Sequence, residues 1–158
     1  MSESRSRIAM SFLVGLAAAS GLAGVARAAL GEGPASIETD ALALHGALHL
    51  ESRQDYAAYE VLASADTRLR EYVNPSGIVF ALSWSGPAPP DLHKWLGAYF
   101  ADYAGALAAR AHPGLRRSLR IETAGGVIVE ASGHLRAYRG SAYVPDQLPP
   151  GFAPALLR

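Results

Sequence analysis

The chain has no cysteine among its 158 residues. This absence excludes disulfide bonds, thiol nucleophiles, cysteine-ligated zinc and iron–sulfur clusters, and it also removes the modified cysteine of a lipoprotein anchor. The fold therefore has to be held by a packed core alone. Half of the residues are apolar, which is enough to build such a core.

An excess of charge of one sign is missing as well, since 14 basic residues stand against 14 acidic ones. Nucleic-acid binding usually needs a clustered basic footprint, so we expect no nucleic-acid partner. The sequence also lacks the G-x-S-x-G nucleophile motif, the P-loop and the H-E-x-x-H zinc motif. These absences favour a non-enzymatic binding or structural protein that needs no cofactor.

Long hydrophobic runs are confined to the N-terminus. Arg5 and Arg7 precede the uncharged segment Ile8–Val25, and Ala26-Arg27-Ala28 follows it. This order predicts a cleavable secretory signal over residues 1–28, with cleavage after Ala28. Ten of the 18 uncharged residues are Gly, Ala or Ser, which disfavours the alternative of an uncleaved membrane anchor. We therefore expect a periplasmic or secreted protein with no transmembrane segment after signal cleavage.

The mature chain divides into an N-terminal arm, residues 29–54, and a single domain, residues 55–158. Within the arm, Ser36–Leu44 is typical of a short helix because Ser36 can cap its N-terminus. His45 and His49 follow at a spacing that would place both imidazoles on one helical face, with Glu51 nearby. A metal site would need the helix to continue through a glycine, so we predict no metal.

Three strands form a first antiparallel meander in this prediction: Tyr56–Ala63, Thr67–Val73 and Ile78–Ser85. The expected register pairs Val61 with Leu69 in the first hairpin. In the second hairpin it places Glu71 opposite Phe80, on the apolar face of the sheet.

A long amphipathic helix follows, from Asp91 to about Arg110. Its apolar residues recur at intervals of three and four: Leu92, Trp95, Leu96, Tyr99, Phe100, Tyr103 and Leu107. A second meander comes after the helix, in which we expect Val129 to pair with Ala137 and Gly140-Ser141 to form a hairpin turn. The predicted class is α+β, with antiparallel β-meanders flanking one long amphipathic helix that packs on the sheet.

The first meander and the start of the helix carry a resemblance. Arg70-Glu71-Tyr72-Val73, Gly77-Ile78-Val79-Phe80-Ala81, Trp84-Ser85-Gly86-Pro87 and Pro90-Asp91-Leu92 resemble a family of exported bacterial proteins known as DUF2844, a domain of unknown function. Leu148-Pro149-Pro150-Gly151-Phe152 near the C-terminus fits the same family. The resemblance implies export and no established activity, and it supplies no catalytic or binding residues.

Glu71 is the candidate catalytic residue. The predicted register places this carboxyl group on the apolar face that meets the helix, where desolvation raises its pKa. The alternative function is therefore a small hydrolase or isomerase that uses Glu71 as general acid or base in a pocket between sheet and helix. The competing interpretation is structural, with Glu71 accepting hydrogen bonds from Tyr99 or Tyr103.

The opposite face of the sheet supplies the candidate binding residues, which are Tyr72, Arg136, Tyr138 and Tyr143, beside Arg70 and Glu130. Tyrosine and arginine are enriched on binding surfaces, so this face favours a protein or small-molecule ligand. Ordinary cross-strand pairs on a solvated face would give the same composition. The edge strands of such a sheet also leave dimerisation open.

Overall fold

The computed structural model describes residues 30–63, 66–110 and 118–157, so the predicted signal at 1–28 lies outside the described residues. The helices are α1 (Ala35–Ala43), α2 (Leu92–Leu96) and α3 (Phe100–Ala108), and a 3₁₀ turn (Gly97–Tyr99) joins the last two. The strands are β1 (Ala47–Ser52), β2 (Ala57–Leu62), β3 (Arg68–Val73), β4 (Val79–Gly86), β5 (Ser118–Glu122), β6 (Ile128–His134) and β7 (Ala137–Tyr143). The predicted α+β class is confirmed.

All seven strands belong to one antiparallel sheet, in the order β1-β2-β3-β4-β7-β6-β5. The first four strands run in chain order, and the last three run back from the far edge. The two meanders therefore meet where β4 pairs with β7. Residues 30–54, predicted as an arm that precedes the domain, contribute α1 and the edge strand β1 to this fold.

The main core lies on one face of the sheet, beneath the helices. Val61, Leu69 and Leu82 of the sheet are fully buried together with Leu96 of α2. Trp84 of β4 and Trp95 of α2 also meet there, with ring centroids 5.9 Å apart. The helical run predicted from Asp91 is divided because Gly97 adopts a φ of 51°, which ends α2 and starts the 3₁₀ turn.

A second core lies on the opposite face, where the C-terminal segment after β7, residues 144–157 (the tail), covers part of the sheet. The ring of Phe152 stands edge-on to Phe80 at a centroid distance of 4.8 Å and to Tyr72 at 5.5 Å. Tyr143 and Leu157 are buried in the same cluster. Half of this face is thus apolar and covered by the tail.

The register of the first hairpin is confirmed, because Val61 pairs with Leu69. That of the second is wrong by two residues, since Glu71 pairs with Leu82 and not with Phe80. Tyr72 pairs with Ala81 and Val73 with Val79, so Phe80 has no partner on β3. Its side chain lies on the tail-covered face, together with Tyr72. A β-bulge of this kind adds one residue to one strand and reverses the facing of those beyond it.

The predicted register of the second meander is also wrong. Val129 pairs with Ala142 rather than Ala137, and Gly140-Ser141 lies inside β7 instead of forming a turn. The reversal occurs between His134 and Ala137, where Arg136 has a φ of 67°. Gly140 is needed within the strand because a Cβ there would overlap the Trp84 ring and the Glu130 carbonyl oxygen.

Gly140→Ala is expected to lower the free energy of unfolding by about 2–3 kcal/mol, because the added methyl group forces Trp84 or the adjoining strand to move. Gly105→Ala in α3 is the matched control, since a Cβ there meets nothing within 4 Å. That variant should gain up to about 1 kcal/mol from helix propensity. Urea unfolding of both variants checks this, and a similar effect of the two alanines would contradict it.

Candidate functional site

The half of the sheet face that the tail leaves uncovered is polar. Directly paired residues of neighbouring strands point to the same face, so one row of side chains crosses the sheet from β2 to β5. This row consists of Glu60, Arg70, Ser83, Ser141, Glu130 and Arg120. A second row beside it consists of Arg68, Ser85, Arg139, Ser132 and Ser118.

These two rows line an open groove of about 690 Å³. Serines occupy both positions on β4 and one of the two on each of β7, β6 and β5, so short side chains form much of the floor. Leu156 and Leu157 of the C-terminal segment close one side. A cavity of this size is within the usual range for small-molecule sites.

Arginine dominates the charge of the groove, because four arginines and two glutamates line it and give a formal charge of +2. Three of the four arginines have carboxylate partners: Arg68 lies 3.3 Å from Glu60, Arg70 pairs with Glu51, and Arg120 pairs with Glu130. The fourth, Arg139 on β7, forms no ion pair with any residue that the structure describes.

The structure separates the binding residues predicted from the sequence. Tyr72 lines the groove but is only 2% exposed, and Tyr143 is 7% exposed, because the C-terminal segment packs over both. Arg136 lies in the β6–β7 turn and, like Tyr138, does not line the groove. The expected solvated tyrosine face is therefore corrected to a tail-covered core beside an arginine- and serine-lined groove.

Most groove residues escaped the sequence analysis. Their signal is the alternation of polar residues within single strands, as in Arg68 and Arg70 of β3 or Ser83 and Ser85 of β4. The misplaced turn at Gly140-Ser141 hid the same alternation in β7, where Arg139 and Ser141 share a face.

Glu71 is 1% exposed, and its side chain lies on the helix-covered face. Burial raises the pKa of Glu71 to about 8, and the neighbouring charge of Asp40 adds to the rise. Its Oε2 atom has no hydrogen-bond partner among the described residues, and neither Tyr99 nor Tyr103 donates to it. Glu71 lines neither the groove nor the shallow cavity between α2 and α3.

Asp40 of α1 forms the other half of this buried acid pair. It is 5% exposed, and burial raises its pKa to about 6, against the opposing effect of Lys94. Its Oδ2 atom also lacks a hydrogen-bond partner in the described chain. Because burial disfavours the charged carboxylate and the nearby charge of Asp40 adds to this effect, Glu71 keeps its proton at neutral pH.

The histidine pair does not share a helix face. α1 ends at Ala43, His45 has a φ of 49° in the following turn, and His49 lies in β1. Within residues 30–63, 66–110 and 118–157, no group of three His, Asp or Glu side chains is arranged to hold a metal ion. No helix in these same ranges is long and apolar enough to cross a bilayer.

Comparison with known proteins returns one family. A family model described as a protein of unknown function, DUF2844, matches residues 26–157. Neither the curated proteins nor the solved structures contain a match to this chain.

Glu71→Gln tests the acid pair through the pH dependence of stability. The unfolded chain releases the Glu71 proton above about pH 4.5, whereas the folded chain keeps it to about pH 8, so stability falls as the pH rises between these values. The glutamine variant should lack this fall and exceed the parent protein by about 2 kcal/mol or more at pH 8, with near equality at pH 4. Urea unfolding across this range measures the difference.

Glu122→Gln is the matched control, because Glu122 is exposed on β5 and should leave the pH profile unchanged. Parallel pH profiles for Glu71→Gln and the parent protein would show that Glu71 is ionised in the folded state.

Proposed function

Since the chain belongs to the DUF2844 family, we propose for it the function that its geometry supports best: an exported, non-enzymatic protein that binds a small anionic ligand in the open groove. The observation that carries the proposal is Arg139, a guanidinium in the middle of the sheet face without a described carboxylate partner. None of the described residues gives this side chain a partner of opposite charge, whereas an anionic ligand would supply one.

The surroundings of Arg139 suit an anion that also carries hydroxyl groups. Ser85 of β4 and Ser132 of β6 pair with Arg139 on either side, so two hydroxyl groups flank the guanidinium. Serine hydroxyls both donate and accept hydrogen bonds, whereas arginine only donates. A carboxylate with neighbouring hydroxyls, as in a sugar acid, matches this set of donors and acceptors.

The groove offers no aromatic platform for stacking. Its two aromatic lining residues, Tyr72 and Trp84, are 2% and 5% exposed. Affinity must therefore come from charge-assisted hydrogen bonds, and it should fall with rising salt because the guanidinium is exposed to solvent.

The alternative function is a small hydrolase or isomerase with Glu71 as general acid or base. Its support is the burial of the Glu71 carboxyl group, which is 1% exposed and whose pKa that burial raises. It also requires access for a substrate, and Glu71 lines neither the groove nor the cavity between α2 and α3. The binding function is therefore the better supported of the two, and Glu71 lies in the α1 interface, where its burial makes stability depend on pH.

Arg139→Ala is expected to weaken binding of trigalacturonate, an anionic oligosaccharide, by tenfold or more, which corresponds to the loss of one charge-assisted contact of about 1.5–3 kcal/mol. Arg139 is exposed and unpaired with described residues, so the melting temperature should stay unchanged. Isothermal titration at low salt measures the affinity. The uncharged methyl ester of the same trisaccharide serves as the ligand control.

Arg136→Ala removes the same charge outside the groove and should leave the affinity unaltered. Equal weakening by the two alanine variants would indicate a general electrostatic effect rather than a site. Absence of trigalacturonate binding at millimolar concentration would contradict the proposed ligand chemistry.

The proposed export can be tested through cleavage of the predicted signal. When the full chain is expressed in a Gram-negative host, the protein in the periplasmic fraction should have the mass of a chain that begins at Ala29. Ala28→Leu places a large residue at the cleavage position and should leave the uncleaved precursor in the membrane fraction. Intact mass spectrometry decides the matter, and full-length protein in the cytoplasmic fraction alone would contradict export.

A further inference from the structure

The edge strand β1 is the least protected part of the sheet. It pairs with β2 on one side, and in the described parts of the chain no strand pairs with its other side. Five of its six residues are exposed, and Leu50 remains 58% and Leu48 38% exposed. Both leucines lie on the helix-bearing face, and Leu42 of the adjoining α1 is 76% exposed.

Sheet edges are normally protected against pairing with another chain by prolines, bulges, lysines or short length. β1 has none of these features, since it runs for six regularly paired residues without proline or lysine. The opposite edge, β5, is shorter and carries Arg120 and Glu122. An unprotected strand with exposed leucines is therefore restricted to one edge of the sheet.

We propose that β1 is a dimerisation strand, which pairs antiparallel with β1 of a second copy and joins two seven-stranded sheets into one of fourteen strands. The inference is independent of the ligand proposed above. An antiparallel pair of identical strands is related by a two-fold axis, so the interface is self-complementary. Residues that face each other across it must lie on the same face of their sheets.

Charge selects the register. With the axis at Leu50, this residue faces its own copy, and His49 faces Glu51 of the second copy on the other side of the sheet. With the axis at His49, the two imidazoles would face each other and Glu51 would face Ala47. Both registers bring leucines together, since the second places Leu48 opposite Leu50. The first is favoured because it places His49 opposite a carboxylate, whereas the second places two imidazoles opposite each other.

A second copy suits this edge because Leu50 then packs on its own equivalent and each His49 faces a Glu51 carboxylate, which also pairs with Arg53 and Arg70 of its own chain. The two-fold axis stands perpendicular to the sheet, so both open grooves face the same side of the dimer. His49 already pairs with Glu60, the β2 end of the first groove row, so the polar face would continue across the junction.

The absence of cysteine makes a direct test possible. Leu50→Cys introduces a single thiol into the mature chain, and mild oxidation should convert it to a disulfide-linked dimer because facing residues of an antiparallel pair lie within disulfide distance. Leu62→Cys on β2 is the matched control, exposed to 36% but on the opposite face and one strand inward. It should remain monomeric on a reducing-agent-free gel.

Light scattering on the parent mature protein at about 100 µM should give the mass of a dimer. Leu50→Lys should give the monomer mass with an unchanged circular dichroism spectrum, since two ammonium groups would then face each other. A parent protein that is monomeric at this concentration would overturn the proposal. So would cross-linking through His49→Cys in preference to Leu50→Cys, because that result places the axis at the wrong residue.

Discussion

The pairing of β4 with β7 is the interaction on which the rest of the structure depends. These strands are far apart in sequence, and they are the only place where the two meanders touch within the described sheet. The pairing requires a close approach at Gly140, over which the Trp84 ring passes before it meets Trp95. A single glycine therefore links the hydrogen bonding of the sheet to the packing of the helices.

The open groove is a consequence of the same pairing. Ser83 of β4 faces Ser141 of β7, and both rows of polar side chains continue on either side of this junction. If the meanders formed separate sheets, the arginines of β3 and β7 would belong to different surfaces. The sheet brings them together, and the short serine side chains between them leave room for a ligand.

The buried acid pair shows that the helix-bearing face is not organised for stability alone. Leu30 and Ile37 are buried and hold the N-terminal segment against the sheet, with backbone hydrogen bonds from Leu30 to Trp95 and from Gly31 to Val79. This firm attachment holds Asp40 of α1 in the same interface as Glu71. The apolar contacts of the segment are strong enough to offset the desolvation of two carboxyl groups.

Periodicity predicted the elements of the fold, whereas their register depended on features that periodicity does not contain. The Val61–Leu69 pair follows from alternation alone, because a one-residue shift would expose the apolar face. The bulge at Phe80 has no signature in the local sequence, and the contact that it allows is with a distant residue, Phe152 of the C-terminal segment. Gly140-Ser141 likewise has the local pattern of a hairpin turn, whereas the demand for a small residue at Gly140 comes from Trp84, 56 positions away in sequence.

The candidate site, too, could be predicted from the sequence only in part. The burial of Glu71 could be predicted because Leu69 and Val73, which share its face of the strand, are apolar. The proximity of Asp40 could not be predicted, since no local sequence feature links α1 to β3. Tyr72 and Tyr143 were expected in solvent, and only the packing of the distant C-terminal segment explains their burial.

The tail also explains why Arg139 is informative. It covers the apolar half of the sheet face, and its residues Leu156 and Leu157 lie on the border of the polar half. In that open half, Arg68, Arg70 and Arg120 are each matched by a described carboxylate, so folding alone is sufficient to explain them. Arg139 has no described match, although it lies on a central strand between two serines that could each have been a glutamate. Under the proposed function, a guanidinium in that position, flanked by hydroxyl groups, pairs with an anion that the described residues do not supply.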